Sequence, residues 1–358
     1  MTNNTKQSSR RAFLGGGSAR LALAAGAGLL LARPGRAAER GRNPFAYDVE
    51  RYRRTDPALV AYDRVKHFPS PRPEPRCVGI GPDDRLHLAA GTAIAVLDGE
   101  GRVTSEIRCG GVVYALAVSA EGTVYAGMRD HLEVFDPKGK RLATWATPEG
   151  RPFITGLAVG ESDVFVADAG NRVVWRHDLG GNRLGTIGRR DPDRNIPGIV
   201  LPSPVLDVAI GRDGLLRVNN AGRHRVELYT FDGGLELFWG RFSMAMEGFS
   251  GCCNPVSLAL LEDGRTVTFE KGLPRVKVYE ATGRFESVVA GTEMFADTGS
   301  AAAIARPDDR VYGGLDGVVD SAGRVIILDP LGADLHVMQR RSDQADARTP
   351  APAKGTTA

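Results

Sequence analysis

The stretch that decides the fold reads GLAVGESDVFVADAGNRVVWRHD and covers residues 156–178. It contains an apolar run, a polar turn at residues 161–163, a second apolar run, a loop that begins at Asp168, and a third run. Short runs rich in apolar and β-branched residues, separated by polar turns, indicate β-strands joined as hairpins. The stretch therefore predicts three antiparallel strands of one small sheet.

Units of the same kind recur along the chain, and turns such as Asp213-Gly214 and Asp263-Gly264 separate their strands. Six units are predicted, namely Val78–Val103, Tyr114–Thr144, Ile154–Ile187, Val205–Phe238, Val256–Val289 and Leu315–Arg340. Repeated β units of this size are typical of propeller blades. We therefore predict an all-β fold, a six-bladed β-propeller that spans residues 61–340.

The last unit offers only three clear strands before the sequence becomes polar. An incomplete last blade would leave an unpaired edge, which folded proteins avoid. We therefore expect the segment Tyr62–Phe68 to add the outer strand of the last blade, so that an N-terminal strand closes the ring.

Three of the units resemble the NHL-repeat family of six-bladed propellers, a TolB-like architecture. The resemblance rests on residues 156–173, on VNNAGRHRV at residues 218–226, and on EKGLPRV at residues 270–276. It implies a rigid ring that commonly serves protein contact. It is specific for architecture and carries little information about activity.

The N-terminus resembles a signal peptide of the twin-arginine (Tat) pathway. Ser9-Arg10-Arg11-Ala12-Phe13-Leu14 matches the signal motif, and the apolar stretch Leu21–Ala32 is too short to span a bilayer. We predict a signal peptide at residues 1–38, a polar lead-in at residues 39–60 and a disordered tail at residues 341–358. The expected location is periplasmic or otherwise extracytoplasmic.

The formal net charge of +3 arises from the predicted signal peptide. Residues 1–38 carry six basic and no acidic residues, which leaves 40 basic against 43 acidic residues in the remainder. The remainder has no basic excess that would favour nucleic acid. The remainder also contains no apolar run long enough to cross a bilayer, so we expect no membrane span after signal cleavage.

All four cysteines are predicted on one face of the ring, where the chain enters an inner strand. Three interpretations fit them: a thiolate metal site for copper, zinc or iron–sulfur, a disulfide formed on the oxidising side of the membrane, or inert buried thiols. The metal site would use Cys77, Cys109, Cys252 and Cys253, with Met244 and Met246 as further ligands.

Other polar side chains are predicted on the same face, in the loops between second and third strands. They form a candidate binding face made of His131, Asp168, Arg172, Asn220, His224, Glu270 and Lys271. The alternative is structural, since such loop residues also close turns and brace neighbouring blades.

No nucleophile elbow, phosphate loop, dinucleotide fingerprint or zinc-protease motif occurs in the sequence, and no catalytic residue is assigned. The pattern favours a non-catalytic exported binding or scaffold module with a protein partner on the loop face, in a periplasmic redox or metal-handling system. The alternative is a metal-binding protein that uses Cys109, Cys252 and Cys253. A metal-dependent lyase or hydrolase with Glu270, His131 and His224 ranks third.

Overall fold

The computed structural model describes residues 50–146, 150–298 and 314–341. The predicted signal peptide, the first part of the lead-in up to residue 49, and the tail from residue 342 lie outside the described residues. None of the described helices is long and apolar enough to cross a bilayer.

The described strands form six four-stranded antiparallel sheets. We number them as blades in chain order, each from its inner to its outer strand. Blade 1 contains β2 (Pro75–Ile80), β3 (Leu86–Ala90), β4 (Ala93–Leu97) and β5 (Val103–Arg108). Blade 2 contains β6 (Ala115–Val118), β7 (Val124–Gly127), β8 (His131–Phe135) and β9 (Arg141–Ala146). Blade 3 contains β10 (Ile154–Val159), β11 (Asp163–Asp168), β12 (Val173–Asp178) and β13 (Arg183–Ile187).

Blade 4 contains β14 (Val208–Ile210), β15 (Leu216–Asn220), β16 (Arg225–Tyr229) and β17 (Leu235–Trp239). Blade 5 contains β18 (Ser257–Leu260), β19 (Thr266–Phe269), β20 (Val276–Tyr279) and β21 (Phe285–Ala290). Blade 6 contains β22 (Asp316–Val319), β23 (Val325–Asp329), β24 (Asp334–Arg340) and β1 (Tyr62–Pro69). Short 3-10 turns lie at Glu50–Tyr52, Pro57–Leu59, Pro82–Asp84, Ala221–Arg223 and Thr292–Thr298.

The ring closes as the sequence predicts. Strand β1 pairs antiparallel with β24, with Tyr62 opposite Arg340 and Phe68 opposite Leu335. The N-terminal segment thus supplies the outer strand of a blade whose other three strands come from the C-terminal end, and no blade keeps an open edge there. The chain is a six-bladed β-propeller.

The hydrophobic core is divided among the contacts between adjacent blades. Phe165 of blade 3, for example, packs with Val218 and Tyr229 of blade 4. The hairpin turns predicted at Asp-Gly pairs are present, because Gly214 and Gly264 adopt positive φ angles of 74° and 86° that other residues rarely take. These turns set the strand register that points the apolar side chains into the core.

Antiparallel alternation decides which connections share a face of the ring. The connection that enters each inner strand lies on the same face as the loop between the second and third strands, because two antiparallel strand lengths separate them along the meander. We call this side the loop face. Cys109, Cys252 and Cys253 lie in connections that enter inner strands, and Cys77 lies near the start of β2.

Candidate binding site in the central channel

A channel of about 1030 Å³ runs between the six inner strands. Partly exposed apolar residues, such as Ile80, Val118, Val159, Ile210 and Val318, line part of its wall. Because ligand sites in proteins are typically concave and of about this size, the channel is a candidate binding site.

The inner strands place one residue each at equivalent positions near the loop face. In blades 1 to 5 this residue directly precedes an apolar one, namely Val78, Leu116, Leu157, Val208 and Leu258 respectively. In blade 6 it precedes Gly317. We call this set the channel ring; it consists of Cys77, Ala115, Gly156, Asp207, Ser257 and Asp316. Blades 2 and 3 thus contribute small residues, whereas blades 4, 5, 6 and 1 contribute polar ones.

The two carboxylates of the channel ring join neighbouring blades. Asp207 Oδ2 accepts a hydrogen bond of 2.8 Å from the backbone N–H of Leu258, in blade 5. Asp316 accepts one of 2.6 Å from Ser257 Oγ in blade 5 and one of 2.9 Å from the N–H of Val78 in blade 1. These contacts fix both carboxylates in place while their side chains stay partly accessible from the channel.

Glycine at position 156 is required by the close approach of Asp207. A Cβ atom at this position would lie 2.6 Å from Asp207 Oδ1 and 2.7 Å from Asp207 Cα. Any side chain there would displace the carboxylate, so the small member of the channel ring in blade 3 helps to position the acidic one in blade 4.

The environment of the channel ring raises the pKa values of its acidic groups and so favours their protonated forms. Burial, reinforced by the nearby charge of Asp316, raises the pKa of Asp207 to about 7. Burial also raises the pKa of Asp316, although Ser257 and the Val78 N–H oppose this shift. Burial and then Asp316 raise the pKa of Cys77 well above its ordinary value, so this thiol is protonated at neutral pH. Among the described residues, neither carboxylate forms an ion pair with lysine or arginine.

Aromatic and cationic side chains stack on the side of the loop face that blades 1 to 3 form. The Arg76 guanidinium lies 5.3 Å from the centre of the Tyr114 ring, which makes an edge contact of 5.0 Å with Phe153. Arg129 lies over Phe153 at 4.8 Å. Arg76, Tyr114 and Phe153 also line the channel, so one side of its mouth is acidic and the other is aromatic and basic.

The four cysteines form two groups. Cys77 packs in the same apolar cluster as Cys109, whereas Cys252 and Cys253 lie between blades 4 and 5 with their Sγ atoms 2.9 Å apart. Burial, followed by the charge of Glu133, raises the pKa of Cys109 to about 12. The hydrogen bond with Cys253 raises the pKa of Cys252. Within the described part of the chain, no three cysteine sulfur atoms come within 4.8 Å of one another, and a metal site that combines both groups stays a prediction.

The segment that carries Met244 and Met246 is fastened to the third strand of blade 5. The backbone carbonyl of Met244 accepts a hydrogen bond of 3.2 Å from Arg275, and that of Met246 accepts one of 3.0 Å from Lys277. Phe249 of the same segment is buried between blades 4 and 5. No residue of the segment 240–253, all of which is described, lines the channel.

Glu270 and Lys271 are adjacent in sequence and differ in role. Glu270 is fully buried, and its Oε1 lies 2.5 Å from the equally buried Nζ of Lys277. Lys271 Nζ donates to Ser203 Oγ at 3.0 Å, and burial lowers the pKa of this lysine. Glu270 is therefore part of the interior of blade 5 and not of an open binding face.

Asp168 and Asn220 occupy equivalent positions at the ends of second strands and are also used internally. Asp168 is buried and accepts hydrogen bonds from the Phe153 N–H, from Asn171 and from Trp175 Nε1, at 2.6–3.1 Å. Asn220 donates to the buried Glu227 at 2.9 Å. For both residues the structure supports the structural alternative named above.

The remaining residues of the predicted binding face lie on the loops of separate blades. Arg172 and His224 each have a positive φ, 56° and 54°, at the same position of equivalent turns. His224 Nε2 lies 2.7 Å from the Gly251 carbonyl, and His131 Nδ1 lies 2.8 Å from Asp130 Oδ1. His131, His224 and Glu270 do not form a cluster of metal-ligand distances within the described residues.

Sequence reasoning missed Asp207 and Ser257 and assigned no role to Asp316. Their signal is the repeat itself. When the inner strands are aligned, a position that is alanine or glycine in blades 2 and 3 is aspartate, serine and aspartate in blades 4 to 6. Polar residues at an otherwise small, channel-facing position mark the site.

Comparison with known proteins supports the fold. No protein-family model matches the sequence, and the search of curated proteins finds no significant match. Among solved structures, a streptogramin B lyase is similar with 14% identity and a TM-score of 0.52, over 80% of this chain and all of that chain. A virginiamycin B lyase from Staphylococcus aureus is similar with 10% identity and a TM-score of 0.53, over 78% of this chain and 99% of that chain. At this identity the likeness shows the fold alone.

Proposed function

We propose that this chain is an exported, non-catalytic propeller of the NHL kind that binds a small organic cation in its central channel. The observation that carries the proposal is the pair of carboxylates, Asp207 and Asp316, held on neutral donors at one end of the central channel.

Charge is the first support. An ionised carboxylate surrounded by protein is unfavourable unless an opposite charge compensates it. The raised pKa of Asp207 expresses that cost, because the group retains its proton until nearly neutral pH. A cation that enters the channel would replace the proton and compensate both acidic groups.

The shape and walls of the channel are the second support. The apolar residues of its wall suit the hydrocarbon part of a ligand, and Tyr114 and Phe153 at its mouth offer aromatic surface. A bare metal ion fits less well, because the ligand atoms of Cys77, Asp207 and Asp316 do not all lie within 4.8 Å of one another. The chemistry of the site therefore favours an alkylammonium group over an inorganic ion.

A matched pair of probes tests the sign of the charge. We expect hexylammonium to bind with a dissociation constant of about 1 mM or below, and hexanoate, of the same length, to bind at least tenfold more weakly. Isothermal titration calorimetry at pH 8 measures both, since Asp207 is then ionised. The Asp207→Asn variant is expected to weaken hexylammonium binding by about tenfold or more.

The control for this experiment is Asp263→Asn. Asp263 lies in an exposed hairpin turn on the opposite face, where it bonds Arg265, and its replacement should leave the affinity unchanged. Equal binding of the two probes, or an unchanged affinity in Asp207→Asn, would contradict the proposed ligand class.

Export by the twin-arginine pathway is the second part of the proposal, and it rests on Arg10 and Arg11. Replacing both arginines with lysine keeps the charge and removes the guanidinium pair. We expect the precursor of Arg10→Lys/Arg11→Lys to remain in the cytoplasm, whereas Arg20→Lys is exported normally. Cell fractionation and immunoblotting measure the distribution; equal export of both variants would exclude this route.

A protein partner on the loop face is a further proposal, favoured by one observation. The Phe242 side chain is 59% exposed there and packs edge-on against His224 at 5.2 Å. Large exposed aromatic side chains are enriched in protein interfaces.

Two other activities have weaker support. The 2.9 Å contact of the Cys252 and Cys253 thiols favours thiol chemistry on the exported side, through a disulfide or a soft metal. Lyase activity has no support in this chain, because the likeness to the two lyases is confined to the fold and Glu270 is enclosed in an ion pair with Lys277.

A further inference from the structure

The strand pair that closes the ring brings three metal-ligating side chains together. His67 of β1 lies directly opposite His336 of β24, and their rings stack with centres 4.9 Å apart. Asp334 is two residues before His336 and therefore on the same face of the strand. His67 Nε2 lies 3.2 Å from Asp334 Oδ1.

His336 supplies an independent observation that points to a ligand. The residue is only 2% exposed, and neither of its ring nitrogens has a hydrogen-bond partner. Phe295 packs edge-on against the ring at 5.8 Å, which excludes water from one side. Buried polar groups are nearly always satisfied, so two unpartnered nitrogens beside His67 and Asp334 mark a missing partner.

We propose that His67, Asp334 and His336 bind a divalent transition-metal cation of the zinc type. Their ligand atoms all lie within 4.8 Å of one another, the sole such group of His, Cys, Asp and Glu in the described ranges. Imidazole and carboxylate donors suit zinc, and three protein ligands leave a fourth position for water. Ligands about 2.1 Å from one ion stand roughly 3.4 Å apart, and rotation of the exposed His67 side chain supplies the remaining closure.

The position of the site determines what the cation does. His67 belongs to the N-terminal closing strand, whereas Asp334 and His336 belong to the C-terminal strand of the same blade. A metal bound across this pair links the two ends of the ring and is absent from the unfolded chain, so it stabilises the closed propeller by mass action.

The test is zinc binding by the untagged, exported protein. Isothermal titration calorimetry should show about one Zn²⁺ per chain at this site, and Zn²⁺ at 100 times the dissociation constant should raise the Tm by roughly 5 °C relative to protein in EDTA. His67→Gln should weaken binding at least tenfold and, at the same Zn²⁺ concentration, reduce the Tm shift to about half or less. This variant is suitable because the His67 side chain is 42% exposed, so folding is preserved.

Two controls distinguish this site from other histidine and cysteine residues that could bind zinc. His131→Gln removes an exposed histidine that is also paired with an aspartate, and it should leave the Tm shift intact. Co²⁺ should bind without a thiolate charge-transfer band in the near ultraviolet, because Cys252 and Cys253 take no part. An undiminished Tm shift in His67→Gln, a thiolate band, or the absence of any zinc effect on wild-type protein would each overturn the proposal.

Discussion

Replacing Glu270 with alanine is expected to lower the free energy of unfolding by about 3–5 kcal/mol. Glu270 and Lys277 are both fully buried and form an ion pair at 2.5 Å. Without the carboxylate, the Lys277 ammonium would remain in the interior without the anion that compensates it. Its other neighbours are the carbonyls of Met246 and Gly248 and the rings of Phe249 and Tyr279. An uncompensated buried charge is among the most destabilising changes in a folded protein.

Guanidinium unfolding monitored by tryptophan fluorescence measures this loss. Glu280→Ala is the matched control, since it breaks the largely exposed pair with Arg284 and should cost less than about 1 kcal/mol. The double variant Glu270→Met/Lys277→Met should recover most of the loss, because an apolar pair of similar volume needs no compensation. If Glu270→Ala were as mild as Glu280→Ala, Glu270 would have to be assigned to an open binding face after all.

The second large effect is a pH dependence of stability that originates in the channel ring. The pKa of Asp207 is about 7 in the folded protein and near 3.9 in the unfolded chain. The raised folded-state pKa means that the native form binds the proton more tightly. The contribution of protonated Asp207 to the free energy of unfolding is complete below about pH 4 and is lost as the pH rises through 7.

Asp207→Asn removes this dependence, since the amide is neutral at every pH and keeps an acceptor for the Leu258 N–H. Each pKa unit corresponds to about 1.4 kcal/mol, and channel water reduces the full effect. The stability of Asp207→Asn relative to wild type should therefore increase by roughly 2–4 kcal/mol between pH 4 and pH 8. Urea unfolding across this range measures the difference. A constant difference would show that the pKa of Asp207 is the same in the folded and unfolded protein. Asp98→Asn is a control of opposite sign, because hydrogen bonds from Arg102 lower the pKa of Asp98.

The architecture was predictable because its signals are local. Alternating runs and Asp-Gly turns repeat within each blade, and counting three strands in the last unit was enough to predict closure by Tyr62–Phe68. Each of these inferences depends on residues a few positions apart, whose conformations are set by strand periodicity and turn chemistry.

The candidate site was only partly predictable. The repeat register placed Cys77 near the channel. It placed Asp168 and Asn220 in loops between second and third strands, whereas each is the last residue of a second strand. It did not distinguish a side chain that faces a ligand from one that closes its own turn, since both roles use the same residue types. For Glu270 the decisive contact is the ion pair with Lys277. The alternating pattern of the strand predicts on which face of the sheet Lys277 lies, but it does not predict that Lys277 meets Glu270.

The sequence by itself therefore determined the ring, its six units and its closing strand. Only the tertiary structure decided which polar residues meet. The hydrogen bonds of Asp207 and Asp316 join residues that are 51, 59 and 238 positions apart in the sequence. Asp207 and Asp316 acquire their chemistry from neighbours on other blades, and His67 meets His336 only because the ring closes. Such contacts follow from how blades pack around an axis, and the pattern within one blade carries no information about that packing.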